Sequence, residues 1–122
     1  MEKDLKVICK NIYEELGGGY RENIYQNALV KDLTDKGYDV SMEVERPVMY
    51  KGVTIGKVRL DIVVKDFKNE YIIELKAIER VGKKEMKQIQ RYMKTSEKAF
   101  GWIINFSLES YQIIPVKNED DD

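Results

Sequence analysis

Apolar residues recur at two different periods along the chain. Leu5, Ile8, Cys9, Ile12 and Leu16 fall three and four apart, which predicts an amphipathic helix over 4–16. Gly17-Gly18-Gly19 ends it, since glycine enters the left-handed cap conformation without a Cβ clash. Tyr25, Leu29 and Leu33, with Ile24 and Ala28 beside them, predict a second helix over 20–36 that stops at Gly37. The pattern then shortens towards alternation. Residues 39–50 and 53–65 predict strands joined at Lys51-Gly52, the first marked as an edge or bulged strand by Pro47 and the second bent at Gly56. Phe67-Lys68-Asn69 turns into a third strand over 70–76, completing an antiparallel meander. Met86, Ile89 and Met93 mark a helix over 83–95. The mostly apolar run 99–106 predicts a strand buried on both faces and parallel to the third through a right-handed crossover. A last strand covers 110–116. The order is ααβββαββ, an α/β (α+β mixed) chain with a mixed central sheet flanked by helices.

The meander carries an unusual set of polar residues. Strand side chains alternate faces, so Glu74 and Lys76 point to one side and Ile73 and Leu75 to the other. On the preceding strand Leu60, Ile62 and Val64 are expected to share one face, with Asp61 turned the opposite way. Pairing through the turn brings an Asp, a Glu and a Lys to one side of the sheet.

Composition narrows what that trio can do. A chain of 122 residues holds one core, here assigned to 1–117, with 118–122 expected to be a disordered acidic tail. One cysteine excludes an intramolecular disulfide framework and a cysteine zinc site. With no histidine, His triads and His-ligated metals are excluded as well. A metal must then be held by oxygen, which favours Mg²⁺, Mn²⁺ or Ca²⁺. The polar N-terminus and the lack of a long apolar run lead to the expectation of an intracellular, cytoplasmic protein with no membrane span. Of the formal net charge of −1, Glu119-Asp120-Asp121-Asp122 contributes −4, leaving +3 on the residues before it. That balance permits a polyanionic partner.

Four constellations follow. Asp61 and Glu74 can chelate one hard cation, with the backbone carbonyl of Leu75 as a third oxygen. A cation of this kind lowers the pKa of its water enough for attack on phosphorus, and Lys76 can orient that water or neutralise developing charge. The plainer reading is an ordinary Glu–Lys pair on a solvated sheet face. Glu22 falls on the inward stripe of the second helix, three residues before Tyr25, where a carboxylate needs a partner or a metal; its plainer role is to complement the helix dipole in the first turn. Gln88 and Tyr92 share a helix face and could hold a phosphate or a water, or simply flank the Ile89/Met93 core. Lys84, Lys87, Arg91, Lys94 and Lys98 form a basic stripe that suits a phosphate backbone or a solvated helix face with Glu85 and Glu97 nearby.

Taken together, Gly19-x-x-Glu22-x-x-Tyr25, Arg59-Leu60-Asp61, Ile73-Glu74-Leu75-Lys76-Ala77, Gln88-x-x-x-Tyr92 and Ile103-Ile104-Asn105-Phe106 resemble, in this order, the GxxExxY family of the PD-(D/E)XK nuclease-like superfamily. Leu60 stands where the superfamily's name has proline, a position that varies widely among such enzymes. The resemblance implies a restriction-endonuclease-like core: a four-stranded mixed sheet flanked by helices. It implies Asp61 and Glu74 as metal ligands, Lys76 as the catalytic lysine and Glu22 as the helical acid that completes the site. Gln88 and Tyr92 match the glutamine–tyrosine motif of related helicase-coupled exonuclease domains, and with Tyr25, Lys84, Lys87 and Arg91 they are the expected substrate contacts.

The leading expectation is a Mg²⁺- or Mn²⁺-dependent nuclease that hydrolyses DNA phosphodiesters, the superfamily also admitting a homodimer. The alternative is a catalytically inactive nucleic-acid-binding or protein-interaction module on the same fold.

Overall fold

The computed structural model of the chain describes residues 1–96 and 99–117. Its elements are α1 (Glu2–Leu16), α2 (Glu22–Asp35), β1 (Asp39–Tyr50), β2 (Val53–Lys65), β3 (Glu70–Lys76), α3 (Lys83–Met93), β4 (Ala99–Phe106) and β5 (Tyr111–Val116). The expected element order is therefore found, with the helices starting and ending within two residues of their predicted bounds. The strands form one mixed sheet in the order β1-β2-β3-β4-β5. β1, β2 and β3 run antiparallel as a meander, β4 joins β3 in parallel, and β5 returns antiparallel to β4. The sheet thus has five strands, one more than the four expected of the core. The predicted acidic tail at 118–122 and Lys98 of the basic stripe lie outside the described residues.

Two layers cover the sheet. On one face the apolar stripes of α1 and α2, including Leu5, Ile8, Leu29 and Leu33, pack on Ile62, Val64, Ile73, Leu75 and Ile104. On the other, Ile89 and Met93 of α3 pack on Leu60, Val63, Ile72 and Ile103. β4 supplies residues to both layers, which is why its sequence is a nearly unbroken apolar run. The Glu85 carboxylate accepts the Gly82 N–H at 3.0 Å, half of a capping box at the start of α3. No helix among the described residues is long and apolar enough to cross a membrane.

One local expectation is corrected and another is located. Leu60 does not share a face with Ile62 and Val64: it joins the α3 layer while they join the α1/α2 layer. Strict alternation fails there because the pairing of β1 with β2 is interrupted at Glu43 and Asp61. The irregularity expected at Gly56 is found beside it: the register passes from Val48↔Gly56 to Met49↔Thr54, which leaves Ile55 of β2 as an extra, unpaired residue, while Pro47 lies on the sheet edge formed by β1.

Two of the three glycines after α1 have separate tasks. Gly17 caps the helix at φ 69°, its N–H donating to the Tyr13 carbonyl. Gly18 instead allows a close approach of two backbones. A Cβ built there would lie 2.3 Å from the Leu108 carbonyl oxygen and 2.5 Å from that of Ser107. The Tyr13 hydroxyl donates to the same Leu108 carbonyl at 3.0 Å, fixing the β4–β5 loop against α1. Gly18→Ala is therefore expected to lower stability by about 1–3 kcal/mol, since backbone must move to admit the methyl group. Chemical denaturation checks this; an unchanged midpoint would show that the loop yields freely.

Candidate metal centre

The site forms where two strands part. β2 and β3 pair from Lys65↔Glu70 to Ile62↔Ile73 and no further. At the next position the side chains take over the missing backbone bonds. The Leu75 N–H donates to Asp61 Oδ2 at 3.0 Å, and the Asp61 N–H donates to Glu74 Oε1 at 3.3 Å. The Asp61 carbonyl accepts from Gln26 Nε2 of α2 at 2.8 Å. A buried backbone group left unpaired costs about 1–3 kcal/mol, so the fork persists only because these groups are satisfied. In a strand the N–H and C=O of one residue point to the same side. The Leu75 carbonyl therefore faces the gap that β2 has vacated, beside both carboxylates.

The neighbouring strand is irregular at the same level. β1 pairs with β2 on either side of Glu43 and Asp61, but these two residues do not pair with each other. Glu43 sits at φ 53°, a left-handed conformation that a glutamate seldom adopts. The break in β2 that turns Leu60 towards α3 thus has a counterpart in β1.

Electrostatically the fork is expensive to leave as two bare anions. Glu74 is only 4% exposed. Burial, followed by the Asp61 charge, pushes its carboxyl up to about 8. Burial also raises Asp61, against the opposing effects of the Leu75 N–H and of Lys76 and Arg59. Lys76 Nζ lies 4.0 Å from Glu74 Oε2 and donates to Gln88 Oε1 at 2.9 Å, while Gln88 Nε2 donates to the Tyr92 hydroxyl at 3.0 Å. This chain holds the ammonium beside Glu74 instead of letting it close fully on the carboxylate. Tyr92 is close enough that Glu74, after burial, raises its phenol. Below the fork, Asn105 accepts from the Ile78 N–H at 3.0 Å and donates to the Ile78 carbonyl at 2.9 Å. That clamp fixes the segment leaving β3 directly after Lys76.

Asp61, Glu74, Lys76, Gln88 and Tyr92 are therefore brought together. Other expected site residues are placed differently. Glu22 is the first residue of α2 and is exposed, not inward, because the helix starts there and the residue lies beyond the covered stripe. Its charge is still felt at Glu74, but no three His, Cys, Asp or Glu side chains gather closely enough to hold an ion among the described residues. Tyr25, expected as a substrate contact, is fully buried. Its hydroxyl donates to the Gly17 carbonyl at 2.7 Å and its ring stacks on Phe106 at 4.5 Å. It anchors the glycine turn to the core and presents no surface to a substrate. Lys84, Lys87 and Arg91 lie exposed on α3. The sequence reading passed over Gln26, Glu43 and the role of Asn105. A polar residue inside the apolar run of β4 was a visible signal for Asn105; nothing local distinguished Gln26 or Glu43.

The donor set fits a hard divalent cation. It offers two carboxylates with raised pKa values and an inward-facing carbonyl. Mg²⁺ commonly takes one or two carboxylates and completes its octahedron with water and phosphate oxygen.

The comparisons agree with this architecture. A model of the PD-(D/E)XK nuclease superfamily matches residues 1–115, and the chain belongs to that superfamily. Among solved structures it is similar to the crystal structure of SSO0001, with a TM-score of 0.62 and 20% identity over 81% of this chain and 52% of that one. It is also similar to Hjc, a Holliday junction resolvase from Archaeoglobus fulgidus, an archaeal hyperthermophile, with a TM-score of 0.53 and 14% identity over 77% of this chain and 71% of that one. The chain spans about half the length of SSO0001. These likenesses show the fold, which is restriction-endonuclease-like. No curated protein matches the sequence.

The raised Glu74 fixes a pH dependence. Because its folded pKa lies above the ordinary value of 4.5, the folded state holds this proton more tightly than the unfolded chain. The neutral form is fully present in both states at low pH. Stability of the metal-free protein then falls as pH rises from about 4.5 through about 8. Glu74→Gln removes that loss. It is expected to match wild type near pH 5 and to exceed it by a few kcal/mol above pH 8, measured by thermal or urea denaturation with chelator present. Equal stability at both pH values would show that the carboxylate is solvated in solution.

Proposed function

We propose that this member of the PD-(D/E)XK nuclease superfamily is a metal-dependent nuclease of the GxxExxY type that hydrolyses phosphodiester bonds in DNA. Asp61, Glu74 and the Leu75 carbonyl would hold Mg²⁺ or Mn²⁺, with Glu22 as the helical acid that completes the charge around the site. When bound, the cation supplies Lewis-acid stabilisation of the phosphoryl oxygens and a more acidic water.

The chain's own residues do the rest. The Leu75 N–H fixes one oxygen of Asp61, leaving the other to bind. The buried wall around Glu74 lowers the local dielectric, so each charge there acts more strongly than in water. Lys76, held by Gln88, which Tyr92 holds in turn, places an ammonium charge beside Glu74, where it can orient the attacking water and offset the negative charge that develops on the phosphoryl oxygens. Exposed Lys84, Lys87 and Arg91 receive the flanking phosphates.

The observation that carries this reading is the pairing at the fork: two acids kept within a buried gap, with a lysine restrained next to them by a separate hydrogen-bond chain. A purely structural Glu–Lys pair has no need of Gln88. The second reading, a non-catalytic binding module, draws on the finding that only two of the three expected carboxylates meet.

Purified protein incubated with plasmid and linear DNA plus Mg²⁺ or Mn²⁺ tests the proposal. Glu74→Ala and Lys76→Ala are each expected to lower the cleavage rate by about a hundredfold or more, as loss of a charged group at the reacting centre does. Equal cleavage by wild type and both variants would identify a contaminant and reject the assignment.

A further inference from the structure

The fork also begins a second structure that the chemistry does not use. Beyond Asp61, β1 and β2 continue as a two-stranded ribbon, Val44–Leu60, with no third strand beside it. Its base is seated: Val44, Val58 and Leu60 pack in the α3 layer, and Arg46 binds Glu70 at 2.6 Å. Its outer end is not. Ile55 is 65% exposed, Val53 62%, Met49 55% and Tyr50 47%. Isolated ribbons are marginal in water, so keeping four large apolar residues at the tip of one calls for an occupant.

Two features identify its chemistry. The ribbon holds four basic residues, Arg46, Lys51, Lys57 and Arg59, against the single acid Glu45. Across a groove of about 490 Å³ lined by Val48, Met49 and Val58 stand Arg91 and Lys94 of α3. A polyanion complements this surface, whereas a second, equally basic copy would not. Strand addition by a second copy is further opposed by Pro47 on the β1 edge of the ribbon and by the bulge at Ile55 on its β2 edge. The tip itself is narrow, since Lys51 (φ 48°) and Gly52 (φ 80°) form a two-residue turn of the tight, twisted kind. A two-stranded ribbon of this form fits a groove of duplex DNA.

We propose that the ribbon Val44–Leu60 is a DNA-contacting arm: Lys51 and Lys57 meet phosphates, and Met49, Tyr50, Val53 and Ile55 lie against sugar and base edges in a groove of the duplex. The arm starts at Asp61, so it sets where the duplex runs relative to the fork. This inference rests on the DNA reading of the preceding subsection and adds the element that holds the substrate.

Fluorescence anisotropy with a labelled duplex of about 30 base pairs, with chelator present to prevent cleavage, tests it in the full chain. The charge variant Lys51→Glu/Lys57→Glu is expected to weaken binding about tenfold or more at low salt and to reduce the slope of log affinity against log salt by about 1 to 2. The tip variant Tyr50→Ser/Val53→Ser/Ile55→Ser is expected to weaken binding by a similar factor while leaving the salt slope unchanged. Mn²⁺ binding by calorimetry should be the same in both variants as in wild type, showing an intact fork. Wild-type affinity retained by both variants would overturn the arm while sparing the DNA reading. Conversion of a dimer to a monomer by the tip variant in sedimentation, with DNA affinity kept, would overturn it in favour of a second copy. No measurable wild-type affinity at low salt would reject the DNA reading itself, and the arm with it.

Discussion

A strand that leaves a sheet strands the backbone groups of the strand it abandons. That constraint organises this molecule. β2 and β3 are paired no further than Ile62↔Ile73, and the N–H of buried Leu75, left without a strand partner, has to be satisfied from somewhere. The protein meets the need with the Asp61 carboxylate, while Glu74 accepts the Asp61 N–H in return. Gln26 closes the remaining carbonyl from the opposite layer. Two acids are thereby held at the mouth of a gap by the same bonds that keep the backbone paired. Positioning the site and completing the sheet are one act, which is why the acids do not simply swing out to solvent.

The arrangement opposes stability in one respect. Burial and mutual repulsion raise both carboxyl groups, and the single nearby ammonium is drawn towards Gln88 as well as Glu74. A fold selected only for stability would place an apolar pair there, as it does one residue earlier at Ile62 and Ile73. A charge deficit beside a vacated strand position is what a bound divalent cation corrects. The helices serve this gap from both sides. α2 contributes Gln26, and α3 contributes Gln88 and Tyr92, while the Asn105 clamp keeps the exit from β3 in place.

Much of this was legible in the chain. The strand bounds 39–50, 53–65, 70–76 and 99–106 follow from apolar patterning and turn residues and are found unchanged, and Pro47 does lie on the edge strand. Alternation placed Glu74 and Lys76 together on the face opposite Ile73 and Leu75. It failed at Leu60 because it assumes an unbroken pleat, whereas the ladder skips Asp61, which bonds to Gln26 of α2 and to Glu74 and Leu75 of β3. The helical stripe drawn back from Leu33 through Tyr25 to Glu22 failed at its end: Glu22 is the first residue of the helix and is exposed, while Tyr25, Leu29 and Leu33 are buried. Tyr25 is recognisable as part of a motif, yet only the structure reveals that its hydroxyl is already engaged by the glycine turn. Glu43 and Gln26 left no local mark, since each matters through a partner distant in sequence.

The central claim is that the fork between β2 and β3 gathers its two acids for a cation. A crystal soaked in Mn²⁺ and examined by anomalous diffraction addresses it most directly. The account predicts an anomalous peak within ligand distance of both the Asp61 and Glu74 carboxylates, lost in Asp61→Ala. Anomalous density elsewhere on the protein with none between these two residues would contradict it.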